Sequence, residues 1–318
     1  MKTRSLLYSL AGSGAVCILL NGIGQATVPL AFVSTNGSDR NPCSAVEPCR
    51  SFNRALTVVE PRGEIVVQNS GGYSTGFAIT KSVTIDAAGL NASVISDSAA
   101  DLCTISAGTS DRVVLRGISF HGASVGNDAI EVAQVGSLYV EHCSIAEFTG
   151  DGVRMTAGGN LFMTGTDVRK CLNGIVLEPL GATAANLVVH DSRFTECDNG
   201  VNVLSVAAAV TGLLTNCTAS LCSLGFLATS QSTGSVDLTL TNCRAFFNGA
   251  GVVAQTFVGG ASANTTVRMA NCVVTANGDG TTTLSRGGPA SILGTSPGSN
   301  LISGNSRFES TSSSVTLH

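Results

Sequence analysis

LYVEHCSI at residues 138–145, LFMTGTDV at 161–168, LVVHDSRF at 187–194, LTLTNCRA at 238–245 and VRMANCVV at 267–274 are variants of one short text. In each, the tail of an apolar strand runs into a cysteine or another small residue. That column is Cys143, Thr166, Ser192, Cys217, Cys243 and Cys272, at steps of 23, 26, 25, 26 and 29 residues. Five residues on lies a second column, Cys171, Cys197, Cys222, Asn248 and Asn277. Eight residues on comes a glycine, at Gly174, Gly200, Gly225, Gly251 and Gly280, followed in most copies by another short apolar strand. A period of this length, reading strand, turn, strand, Asn/Asp-Gly turn, strand, describes one coil of a solenoid.

Composition agrees. Of 318 residues 37 are glycine and none is tryptophan; 12% are charged and 43% hydrophobic, the balance that apolar stripes on every strand and small residues at every corner require. No long amphipathic helix competes with this pattern. Residues 1–26 read as an export signal: Lys2 and Arg4, an apolar run from Leu6 to about Ile23, then small residues at a cleavage site after Ala26. An uncleaved anchor and a lipoprotein at Cys17 are rival readings, disfavoured by the Gly and Ser in the run and by Val16 before the cysteine. Cleavage changes the net charge from −4 to −6, with 15 basic against 21 acidic residues. No Lys/Arg cluster is visible in the mature chain, which argues against a nucleic-acid partner. No second apolar span follows, so a secreted, periplasmic or extracellular monomer is expected.

The segment after the leader carries Cys43 and Cys49, with five residues between them in a Pro-containing loop, the best disulfide candidate in an oxidising compartment. Ser51 can cap a short helix whose Phe52, Ala55, Leu56 and Val59 share one apolar face, suited to covering the open end of a strand stack. The order FVSTNGSDRNPCSAVEPCRSFNRAL (32–56), GEIVVQNSGGY (63–73), ITKSVTIDA (79–87) and VVLRGISF (113–120) resembles the opening of secreted right-handed parallel β-helix proteins of the pectate-lyase-like superfamily. The resemblance covers about residues 31–280 and implies an all-β, single-stranded right-handed parallel β-helix of about nine coils. The expected organisation is an N-terminal helical cap region over 27–62 and a β-helix domain over 63–318 with an irregular end beyond about Gly280. It does not carry one activity, because the architecture hosts lyases, hydrolases, epimerases and adhesins. Gly126-Asn127-Asp128 only partly echoes the polygalacturonase motifs, and the calcium and arginine motifs of pectate lyases are not matched.

Alternation assigns side-chain directions. Leu138/Val140, Leu161/Met163, Leu187/Val189, Leu238/Leu240 and Val267/Met269 point inward from the first strand of each coil, as do Cys103/Ile105, Ile130/Val132 and Val153/Met155 from the third. The outward row of the first strand then holds Arg116, Tyr139, Glu141, Phe162 and His190, the expected ligand face, with the two aromatics as a stacking platform for a sugar or protein. A glycosidase needs two carboxyl groups and a lyase a base, and here Glu141 is the clear outward carboxylate while Arg116 or His190 would serve as base. The central cysteines fit packed thiol ladders better than bridges, because stacked side chains project in parallel; no spacing suits zinc. Asp101, Asp128, Asp151, Asn173 and Asn199 align two residues before the third strand. Two readings of this column stand: an Asx ladder in which each side chain tolerates a left-handed turn, or, at Asp101, Asp128 and Asp151, a calcium site. The expected function is a non-catalytic binding or structural role at a polysaccharide or cell surface without a required cofactor, the alternative being a polysaccharide lyase or hydrolase acting on the first-strand face.

Overall fold

The computed structural model describes residues 27–73, 75–257, 263–286, 288–294 and 299–306. The predicted leader, residues 1–26, lies outside the described residues. Within the described residues the chain winds into three parallel sheets of eleven, ten and nine strands. From Val59–Val67 to Asp279–Ser285, nine successive coils each give one strand to every sheet, in the order first, second, third. Neighbouring coils pair without slippage through the middle of the stack: Leu138 faces Leu161, which faces Leu187, so each inward residue lies over its counterpart. The interior is one continuous column of these side chains, and Phe120, Phe194 and Phe226 are fully buried within it. Each such ring contributes roughly 2–3 kcal/mol of transfer free energy. The inward residues assigned from alternation, from Leu138/Val140 to Val267/Met269 and from Cys103/Ile105 to Val153/Met155, are all buried.

The corners explain the repeating columns. His142, Asp191, Asn216, Asn242 and Asn271 have φ between 51° and 55°, turning the chain from the first sheet into the second. Glu147, Lys170, Glu196, Leu221, Phe247 and Ala276 repeat this from the second into the third, with φ of 53° to 63°. The small residue after each first corner caps carbonyls. Cys217 Sγ donates to Thr215 O at 3.4 Å and to Val189 O of the preceding coil at 3.5 Å, and the Thr166 hydroxyl does the same to Thr164 O and Val140 O. Cysteine, threonine and serine are interchangeable there because each is a small donor. The second column continues from cysteine into an amide ladder: Asn248 Nδ2 donates to Asn277 Oδ1, and Asn277 Nδ2 to Asn305 Oδ1, both at 3.0 Å.

Three expectations change. First, residues 27–62 are more than a cap. Val28–Val33 is itself a strand of the first sheet, parallel to Val59–Val67, because its alternating Ala31 and Val33 complete the core under the helix. The helix spans Phe52–Val58, with Ser51 as N-cap accepting from Arg54 N; Val59 already belongs to a strand. Second, the glycines read as part of an Asn/Asp-Gly turn, Gly174, Gly200, Gly225, Gly251 and Gly280, lie inside strands of the third sheet, and none has positive φ. Third, the stack continues past Gly280: Ala290–Gly294 joins the first sheet and Leu301–Ser303 the second, because Ile292 and Asn305 still fit the inward and ladder columns.

Candidate functional site

On the first sheet three outward rows run along the axis. Asp86, Arg116, Glu141, Thr164 and His190 lie in register, one per rung. Arg116 bridges its neighbours, with Nη1 2.8 Å from Asp86 Oδ2 and Nε 2.8 Å from Glu141 Oε2, and both bonds raise its pKa. Tyr139 and Phe162 occupy the next row and stack with centroids 4.6 Å apart and planes 12° apart. Arg112, from the preceding rung, sits 4.3 Å from the Tyr139 ring centroid. Tyr139 is therefore sandwiched, with Arg112 and Phe162 on opposite faces. The stacking platform expected from the sequence presents ring edges to solvent instead, since rings on adjacent parallel rungs are close enough to stack on each other. In the third row the Asn160 amide donates to Ser137 Oγ at 3.3 Å, the Asn186 amide to Asn160 Oδ1 at 2.9 Å, and the Thr211 hydroxyl to Asn186 Oδ1. The five predicted residues share a face; Arg116 and Glu141 neutralise each other, and His190 stands half-buried two rungs beyond Glu141.

The most displaced carboxyl groups lie elsewhere, on the third sheet. Asp101 Oδ1 accepts from Asp128 N, Asp128 Oδ1 from Asp151 N at 2.6 Å, Asp151 Oδ1 from the Asn173 amide at 2.6 Å, and Asn173 Oδ1 from the Asn199 amide at 2.6 Å. The column is thus a hydrogen-bonded ladder, but none of its members has positive φ, so the left-handed-turn argument for it fails. Arg154 lies 3.6 Å from Asp151, 3.7 Å from Glu131 and 3.7 Å from Glu178. Burial raises the pKa of Asp128 and Asp151, with the Asp151 and Asp101 charges pushing Asp128 further. Burial, then repulsion from Asp128, lifts Glu131 to about 7, and its Oε2 has no hydrogen-bond partner. Among the described residues no group of three or more His, Cys, Asp or Glu is arranged to hold a metal ion. The alternation rule could have found Glu131 and Arg154, each of which follows an inward residue of the third strand.

Cys43 and Cys49 are joined by a disulfide with Cα atoms 4.6 Å apart. Cys103, Cys143, Cys171, Cys197, Cys217, Cys222, Cys243 and Cys272 are free and buried. Burial pushes the Cys143 thiol up to about 12. Basic residues dispersed in the sequence also converge. Arg169, Lys170, Arg193 and Arg244 are all exposed, the arginines on the outward face of the second sheet and Lys170 at its edge. The absence of a basic run in the chain thus does not mean the absence of one on the surface, because residues a coil apart become neighbours.

These features define a parallel β-solenoid with distinct outward faces. Residues 65–233, more than half of the chain, match the family described as the right handed beta helix region, and the chain belongs to that family. No curated protein matches its sequence significantly. Among solved structures, a complex of XylC with xylose is similar over 83% of this chain and 68% of its own, at 9% identity and a TM-score of 0.61. Pectate lyase Pel9A is similar over 88% and 74%, at 19% identity and a TM-score of 0.43. A rhamnogalacturonan lyase is similar over 86% of each chain, at 12% identity and a TM-score of 0.38. Likeness at such identity concerns the fold. Among the described residues no helix is long and apolar enough to cross a membrane.

Proposed function

We propose that the protein is an exported, non-catalytic binding or structural protein whose first sheet engages a polysaccharide or a cell-surface glycan. The observation that carries this is the hydrogen-bonded row Ser137, Asn160, Asn186 and Thr211, which runs in register beside the apolar ridge of Tyr139 and Phe162. Rungs about 4.8 Å apart repeat these groups along a straight line, a surface suited to an extended, hydroxyl-rich polymer. The Asp86–Arg116–Glu141 pairing counts against glycoside hydrolysis on this row, since both of its carboxylates are held by one guanidinium. The disulfide and the leader-like N-terminus favour an oxidising, extracytoplasmic location.

The test is to incubate the mature protein with neutral and acidic polysaccharides, measuring binding, reducing ends and unsaturated sugars together. Binding without product release is expected, and Tyr139→Ala with Phe162→Ala should weaken it about tenfold with little change in melting temperature. A second reading, hydrolysis or lysis, is favoured by Glu131, whose carboxyl near 7 suits a general acid. Product release abolished by Glu131→Gln would replace the binding reading with that one.

A further inference from the structure

The second sheet brings together two arginines that are far apart in the chain. Arg193 and Arg244 belong to one outward row, with Thr218 in register between them. They are two rungs apart, so their Cα atoms are separated by roughly 10 Å, and two long side chains can close on one group lying over Thr218. The corner residues Asn216, Asn242 and Asp191 complete a groove of about 340 Å³. Both arginines are exposed, and among the described residues neither enters an ion pair. Asp191, the acid in this groove, accepts from the Asn216 amide at 3.1 Å.

We infer that this groove is an oxyanion site for a sulfate or phosphate ester carried on a glycan. Two guanidinium groups present planar forks of N–H donors matched to tetrahedral oxyanions, and the Thr218 hydroxyl and corner amides add neutral donors. With Asp191 included, the groove keeps a net charge of one positive unit, which selects an anionic group over a neutral sugar. An adjoining groove of about 370 Å³, lined by Ser144, Asp167, Arg169, Arg193 and Thr195, shares Arg193. A polymer bearing esters at intervals can therefore occupy both grooves and gain avidity over a free anion. Asp167, the register neighbour of Arg193 on the preceding rung, and Asp191, at the corner two residues before it, flank the arginines and repel a backbone charged at every short step, as nucleic acid is. The site lies on a different face from the one proposed above and stands independently of it.

The experiment is calorimetric titration with dextran sulfate, unsubstituted dextran, double-stranded DNA and sodium sulfate, the last against sodium chloride at equal ionic strength. The proteins are the wild-type mature chain, R193Q, R244Q, R193Q/R244Q, Y139A/F162A to report on the first-sheet face and, as a charge control, R40Q, an exposed arginine outside both grooves. All substituted arginines are exposed, and unchanged melting curves confirm that the variants fold. Dextran sulfate is expected to bind, dextran and DNA much less; R193Q/R244Q should lose about tenfold or more in affinity, and R40Q none. Sodium sulfate should bind measurably above chloride and compete with the polymer. Equal binding by the double variant, or sulfate indistinguishable from chloride, would overturn the site. So would loss of dextran sulfate binding in Y139A/F162A instead, which would leave the first-sheet reading standing, or DNA binding as tight as dextran sulfate binding.

Discussion

At Gly200 the fold leaves no room for a side chain: a Cβ would lie 2.5 Å from the carbonyl oxygen of Gly225 on the next rung. The same approach recurs at Gly174 against Gly200 O, at 2.4 Å, and at Gly225 against Gly251 O, at 2.4 Å. Glycine is needed there for the packing distance between coils, since φ at these positions is unexceptional. Gly200→Ala is accordingly expected to destabilise by about 3 kcal/mol, as overpacking against backbone does. Gly89→Ala supplies the contrast: φ is +75° but nothing lies within 4 Å, so the change should cost about 1 kcal/mol. Melting temperatures of the two variants check the order, and the reverse order would remove close approach as the reason for the column. The column itself was legible in the repeat; its cause was not, because spacing along the chain does not reveal which carbonyl lies opposite.

At the scale of an element, the third sheet carries the strongest electrostatic conflict. Glu131 releases its proton near 4.5 when unperturbed but near 7 in the fold, and Asp128 and Asp151 shift in the same direction. At Glu131 the folded state therefore binds more protons between those values, so the contribution of this group to stability is greatest below about 4.5 and is lost as the pH rises through about 7. The contribution of Glu131 is at most about 3 kcal/mol. The melting temperature should drop between pH 5 and pH 8, and Glu131→Gln should flatten the drop; an unaltered pH profile in the variant would show that another group is responsible. For the neighbouring row we propose that the hydrogen-bonded ladder, not calcium at Asp101, Asp128 and Asp151, is what holds it. Calcium should then leave the melting temperature unchanged, and Asp128→Asn should be neutral or stabilising, since an amide oxygen still accepts from Asp151 N while the repulsion is relieved. A rise of several degrees with calcium that Asp128→Asn abolishes would reverse this assignment.

For the whole molecule, coil stacking turns a period in the sequence into rows on a surface, and each sheet acquires its own chemistry. The first is a polar track beside an apolar ridge, the second carries exposed arginines, and the third gathers carboxylates around Arg154. A rigid solenoid keeps these rows straight because every rung is hydrogen-bonded to the next. Binding along a row can therefore add up over several repeats without any conformational adjustment.

The sequence by itself determined the solenoid, the inward residues from Leu138 to Met269, the two small-residue columns that begin at Cys143 and Cys171, and the sharing of one face by Arg116, Tyr139, Glu141, Phe162 and His190. These follow from alternation and period, which are properties of the chain. Only the tertiary structure decided what those outward groups do to one another: that Arg116 closes on Asp86 and Glu141, that Phe162 and Arg112 cover the Tyr139 ring, and that Arg193 and Arg244 flank Thr218. The physical reason is that pairing, stacking and burial depend on separations of a few ångströms across rungs. Coils of unequal length set that registration, and it exists only once they are stacked.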